Sequence, residues 1–342
     1  MHNRAVRLTA TLAAAATMLM TPLQEANAQS VLLKPKFVQG RTTYLEISQS
    51  IENTLSEAGE GPARKGTFQR AFGVWHKVEA ASPDRGARIV LTYDRIQLSI
   101  ATPMGSTSFD SDVDDPADTS NPLARAMGPM LGMSMTMELD KDNRIASFTG
   151  MEAIRKRIEE TTGGGPMYGQ IKDELVDDGY RVMWGESRFV FYANKEVRVG
   201  DSWTHSLRQR DAALGELVFE YKCKLQRAGT EDGRKVAVVA YVATIRPAPT
   251  GEPQPDAIGR VSKLVAGEFK GTATYDLERG VFVKQASEGW TKINITSSDA
   301  VDAGRSVTLD QKIKSATCLL TEAERQKQKL ENRRKGKSGP EE

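Results

Sequence analysis

Leu217-Val218-Phe219-Glu220-Tyr221-Lys222-Cys223-Lys224-Leu225 decides the fold class. Leu217, Phe219, Tyr221, Cys223 and Leu225 alternate with Val218, Glu220, Lys222 and Lys224. An extended strand with one buried face turns that period of two into half a core. Gly229 to Gly233 supplies a polar turn, and Val236 to Ile245 follows with apolar residues on both parities, as in a strand covered on both faces. Phe269 to Leu277 and Val281 to Gln285 flank Glu278-Arg279-Gly280 as a hairpin, and Val307, Leu309 and Ile313 mark a last strand.

Upstream the grammar repeats. Thr43 to Ser50, Phe68 to Val78 and Arg88 to Ile100 read as strands, with a parity change near Asp94 that calls for a bulge. Met133, Met135, Met137 and Leu139 alternate ahead of a turn at Lys141 to Arg144. Gly40 and Gly200 each lead a first strand, a Gly-containing hairpin follows, and Asp140 and Asp276 each open a late turn. That order suggests a diverged duplication. The expected fold is mainly β (α+β): two related antiparallel β-sheet halves, residues 29–149 and 196–320, forming a half-barrel or sandwich. A helical connector at 150–195 joins them.

Within the connector, Met151 to Glu160 carries Met151, Ile154 and Ile158 on one helical face. Gly163-Gly164-Gly165-Pro166 breaks it, and Ile171 to Val176 starts a second helix. Residues 321–342 open with a Thr-Glu-Ala-Glu capping pattern and are charged almost all round, which predicts a frayed helix giving way to a disordered tail from Arg333. The first 28 residues read as a signal peptide, with Arg4 and Arg7, an apolar run from Leu8 to Met20, and Ala26-Asn27-Ala28. The expected product is exported, periplasmic or secreted, with cleavage near Ala28 and no transmembrane segment.

Chemistry is sparse. The chain of 342 residues carries a formal net charge of +2 with interspersed acids and bases, so a nucleic-acid partner is not expected. Asp201, Ser202 and His205 do not make a hydrolase site, because residues three apart on a strand point to opposite faces. Gly200, Asp201 and Trp203 read instead as a structural turn whose Trp enters the core. Asp110, Asp112, Asp114, Asp115 and Asp118 invite a calcium loop, but Asp115 stands where an EF-hand needs Gly, and a solvated acidic loop is the default. Met133, Met135 and Met137 put thioethers on one strand face. With no His or Cys beside them, they are expected to be core or pocket lining rather than a copper site. Arg333 to Lys337 is a short basic run answered by Glu341 and Glu342, and reads as a solvated tail. No metal, cofactor or catalytic residue is expected.

Cys223 and Cys318 could pair in an oxidising compartment, a bridge worth about 4–5 kcal/mol in the chain-entropy model, or remain two separate thiols; they lie on opposite strand parities.

Gly200-Asp201-Ser202-Trp203, the Pro103 to Asp112 segment with Phe109-Asp110-Ser111, and the Gly271 to Gly280 hairpin resemble an uncharacterised family of exported bacterial β-rich proteins, a domain of unknown function. The duplicated strand pattern more distantly resembles the half-barrels of periplasmic lipoprotein carriers, at the level of fold alone. The expected function is a non-catalytic binding or carrier module for an apolar or lipid-like ligand, with Met133, Met135, Met137, Ile154 and Ile158 lining its pocket. The alternative is a structural or interaction protein of the cell envelope with no ligand pocket.

Overall fold

The computed structural model describes residues 30–57, 61–163, 175–211, 213–249, 255, 260–297 and 306–338. The signal-peptide stretch, the Gly164 to Pro166 breaker and the start of the second connector helix at Ile171 lie outside them.

Strands β2 (Thr42–Glu57), β3 (Arg64–Ser82), β4 (Gly86–Thr102), β5 (Gly105–Asp110), β6 (Ser134–Leu139) and β7 (Ile145–Thr149) belong to the first half. Strands β9 (Ser202–Asp211), β10 (Gly215–Glu231), β11 (Arg234–Pro247), β12 (Arg260–Asp276), β13 (Val281–Ser297) and β14 (Ser306–Leu320) belong to the second. All join one antiparallel twelve-stranded sheet in the order β7-β6-β4-β3-β2-β14-β13-β12-β11-β10-β9, with β5 on β4. The halves therefore fuse edge to edge through β2 and β14, where Ile51 faces Ile313, instead of stacking as a sandwich. The sheet is open, because β7 and β9 do not pair with each other. A short pair, β1 (Val31–Leu32) with β8 (Glu196–Val197), lies apart from it.

Each half is a meander running the same way across the sheet. Their openings match bond for bond. Gly40 N–H donates to Val78 at 2.8 Å and Gly200 N–H to Leu225 at 2.8 Å. Arg41 donates to Val38 and Asp201 to Arg198; Val78 donates to Arg41 and Leu225 to Asp201. Gly40 and Gly200 both sit at positive φ, +82° and +100°, where a side chain would be strained. The late turns match as well: the Asp140 carboxylate accepts from Asp142 and Arg144, and that of Asp276 from Glu278 and Arg279.

Directly opposed residues share a face. The row Ile96, Phe72, Ile47, Thr317, Gln285, Ala273, Val239, Leu225 thus crosses eight strands on one inner face. In the first half that face is covered by α1 (Pro122–Met127), α2 (Met151–Thr162) and Trp184. In the second, Val31, Leu33, Val190, Phe191, Tyr192 and Val197 cover it. Between them run α3 (Asp177–Arg181), a π-helical turn at Val182–Glu186 and α4 (Ser187–Phe189). Gly185 is forced by this packing, since a Cβ there would collide with Ile145 and sit 2.9 Å from Met137 Sδ.

The expected bulge is present. Gly73 pairs with Arg95 and Val74 with Tyr93, leaving Asp94 as the extra residue, and it turns its carboxylate to the outer face. There α5 (Glu322–Ser338) docks, with the Thr321 and Glu324 side chains capping each other's backbone N–H at 3.3 and 2.7 Å. The helix runs to Ser338, past the start expected for a disordered tail, and Arg333 Nε is held by the Asp112 carbonyl at 3.1 Å.

Candidate functional site

The acidic segment after β5 does not gather around a cation. Asp110 accepts two bonds from Arg95, at 3.3 and 2.7 Å. Asp112, wholly buried, accepts Arg325 through both oxygens at 2.7 and 2.6 Å, plus Asn332 at 2.9 Å. Asp114, Asp115 and Asp118 accept local N–H groups in the loop. Burial alone would raise the Asp112 pKa, but the bonds from Arg325 and Asn332 and the charges of Arg325 and Arg95 outweigh it and hold the carboxyl below its usual range. Arg325 also reaches Asp94 at 2.8 Å, and its guanidinium lies 4.8 Å above the Tyr44 ring. Gly73 makes room for that ring, because any Cβ there would strike the Tyr44 hydroxyl. The cluster is a saturated docking network for α5.

The cysteines are separate thiols. Cys223 faces inward opposite Tyr241, whereas Cys318 faces outward opposite Glu46. Strands β11, β12 and β13 lie between them. At roughly 4.8 Å per strand the gap is far beyond disulfide reach, so pairing is excluded. Burial pushes the Cys223 thiol up to about 12 and that of Cys318 to about 11. Ser202 and His205 face opposite ways, opposite Lys224 and Tyr221. Gly200 and Asp201 form their turn, with Arg198 N–H bonded to the Asp201 carboxylate at 2.8 Å, and Trp203 packs against the second-half core.

Met135, Met137, Ile154 and Ile158 are buried together in the first-half core, with Met133 packed on its margin and its Sδ 3.1 Å from an Arg157 nitrogen. Met137 of the methionine stripe lines a partly enclosed cavity. That cavity, about 40 Å³, lies at the seam between the two cores. It is room for roughly three waters.

Its walls come from Thr43 and His76 of the first half, Phe282 and Leu319 of the second, and Trp184, Phe189 and Tyr192 of the connector. Trp184 is fixed by an edge-on contact with Tyr93, 6.0 Å between ring centres, and Tyr192 by one with Phe282 at 4.8 Å. Lys36, Arg41 and Arg188 add positive charge, and among the described residues no Asp or Glu lines the space. Lys36 Nζ donates to the Leu277 carbonyl at 3.2 Å, and Arg41 donates to that of Arg279 at 2.9 Å. Arg188 makes no hydrogen bond or ion pair with any described residue. His76 and Arg188 are both half-buried and line this cavity. Burial, reinforced by the Arg188 charge, lowers the His76 pKa to about 3 and keeps the imidazole neutral. Burial also lowers that of Arg188.

Two open depressions accompany it. One, about 830 Å³, lies between the β6–β7 turn, the connector and β9, and shares Phe189 with the cavity. The other, about 670 Å³, crosses β12 to β4 on the outer face over small residues such as Ser48, Ala71 and Ala316.

The seam cavity was not legible as a site in the sequence. The available signal is Arg188, set directly against the aromatic run Phe189-Val190-Phe191-Tyr192.

Among solved structures the chain is similar to lipovitellin, 8% identical over 84% of this chain and 26% of that chain, with a TM-score of 0.43. It thus spans about a quarter of that protein's length. It is also similar to the outer membrane protein OprG of Pseudomonas aeruginosa, 7% identical over 84% and 99% with a TM-score of 0.21, and to DynF of Micromonospora chersina, 9% over 87% and 89% with 0.20. Likenesses this slight carry no argument. No curated protein matches the chain. Residues 84–281 match the profile of a family of unknown function, DUF6263.

Proposed function

The chain belongs to this family of unknown function, which brings no activity with it, and we propose that it is an exported, non-catalytic binding or carrier module for a lipid-like molecule. The observation that carries the reading is the aromatic-walled, cationic cavity under the connector, at the seam where both halves meet. At about 40 Å³ the space suits the polar end of a ligand, and an apolar body requires the connector to lift. A π-helical turn at Val182–Glu186 interrupts that cover, a form that occurs mostly as single turns and frequently at functional sites. We read the matching turns at Gly40 and Gly200 and at Asp140 and Asp276 as the trace of a duplication, which superposition of the halves tests.

The close packing of Met135 favours the alternative, a structural envelope protein with a filled core. Native mass spectrometry of the protein from a periplasmic extract, prepared without detergent, separates the two. A retained amphiphile, on a chain beginning near Gln29, is the expected result. A bare chain that also fails to bind added dodecanol and dodecanoate leaves the structural reading, and an uncleaved cytoplasmic product removes export. Met135→Asp is expected to lower the unfolding free energy by several kcal/mol under either reading, because its charge would be buried without a partner. It is measured by urea denaturation.

A further inference from the structure

We infer that the seam cavity is the receptor for a carboxylate head group, so that the ligand is a single-chain amphiphilic monocarboxylate; this rests on the binding reading above.

Lys36, Arg41 and Arg188 converge on a space that no acidic side chain of the described residues enters, against aromatic walls. A buried cation of a folded chain is normally matched by a carboxylate. Lys36 and Arg41 at least spend a hydrogen bond each on backbone carbonyls. Arg188, half-buried, spends none on any described residue and lines the cavity.

The planar guanidinium fork matches a carboxylate in two parallel bonds. About 40 Å³ admits that flat three-atom group. His76, kept neutral by burial and by Arg188, adds no competing charge and can supply a ring N–H to the second oxygen. Phe189 stands between this space and the larger cleft beside β9, so the head group would sit innermost with the rest of the molecule toward the connector.

The test titrates the mature, delipidated protein with dodecanoate, dodecanol and acetate by calorimetry. Dodecanoate is expected to bind about tenfold to hundredfold more tightly than dodecanol, the range for a charge-assisted hydrogen bond. Arg188→Gln should erase that difference and Arg188→Lys should keep part of it. Acetate should bind at the same place far more weakly, displaced by dodecanoate. By NMR, dodecanoate should raise the His76 pKa from its depressed value and dodecanol should not, because only an anion favours the imidazolium. If dodecanoate and dodecanol bind alike to wild type, the head-group inference is overturned while the carrier reading stands. If neither binds, both fall. Should Arg188→Gln fail to fold, the wild-type comparison of the two probes and the His76 titration still decide.

Discussion

Two arginines of this molecule are treated oppositely, Arg325 buried on the outer face of the sheet and Arg188 half-buried at the seam. Arg325 arrives on α5 at the outer face and finds both oxygens of Asp112, one of Asp94 and the ring of Tyr44. Arg188 arrives on the connector at the inner face and finds aromatic walls, a neutral histidine and two more cations. Desolvating a guanidinium costs free energy in both places. At the first, the chain offsets that cost with its own carboxylates, so the charge has become architecture. At the second no described carboxylate does so, and an uncompensated, half-buried charge is where a missing ligand would be stabilising.

The first contact can be broken most severely. Asp112→Ala leaves Arg325 buried beside a half-neutralised site and frees Asn332 from its acceptor. We expect a loss of about 3–5 kcal/mol, the range for removing one partner of a buried pair, read from the urea midpoint. Hydrogen exchange across 322–338 should rise sharply, because α5 holds few apolar contacts of its own. An intact α5 in this variant would mean that the ion-pair network is not what docks it.

Acid separates the two regions by pH. His76 has a folded pKa of about 3 against an ordinary value of 6.5, so the unfolded chain binds the extra proton between those limits. Stability supplied at the seam is therefore complete above pH 6.5 and is lost as pH falls toward 3, with a slope of up to about 1.4 kcal/mol per pH unit. Asp112 is also depressed, from 3.8, so its contribution is present above that value and is lost only at more acid pH. Denaturation curves from pH 7 to 4.5 should fall in wild type and flatten in His76→Asn, with α5 still protected. Equal slopes in the two proteins would place the acid sensitivity elsewhere.

How much of this was legible follows from the kind of signal each feature leaves. Period-two alternation, Gly40 and Gly200, the late Asp turns and the Asp94 bulge are local, and all appear where the residues indicate. The union of the halves into one sheet depends on β2 meeting β14, a pairing between residues such as Ile51 and Ile313 that no local pattern encodes. The acidic segment misled for the same reason. Asp112 looks like one carboxylate among several, and its partner Arg325 lies far along the chain in a helix whose charge pattern reads as fully solvated. Met133, Met135 and Met137 alternate along one strand, yet Met135 is packed into the core while Met137 borders the seam cavity, because packing of the connector decides which thioether meets space. His76 and Arg188 are far apart in sequence and meet only through the connector's path across the seam.

The smallest expected effect is the most diagnostic. Replacing Arg188 by Met keeps length and removes a charge that has no carboxylate partner, so no buried group is left unpaired by the change. Apolar replacements of desolvated charges are often neutral or stabilising, and we expect the unfolding free energy of Arg188→Met, measured in urea, to hold or to rise by about 1 kcal/mol. Arg325→Met, identical in chemistry, should instead lose several kcal/mol, because Asp112 and Asp94 would remain buried or half-buried without their donor. His76 supplies an internal check: without the neighbouring guanidinium its pKa should move up toward the ordinary value, even if stability does not change. If Arg188→Met is as damaging as Arg325→Met, then Arg188 is architecture too, and the contrast between the two faces of the sheet collapses.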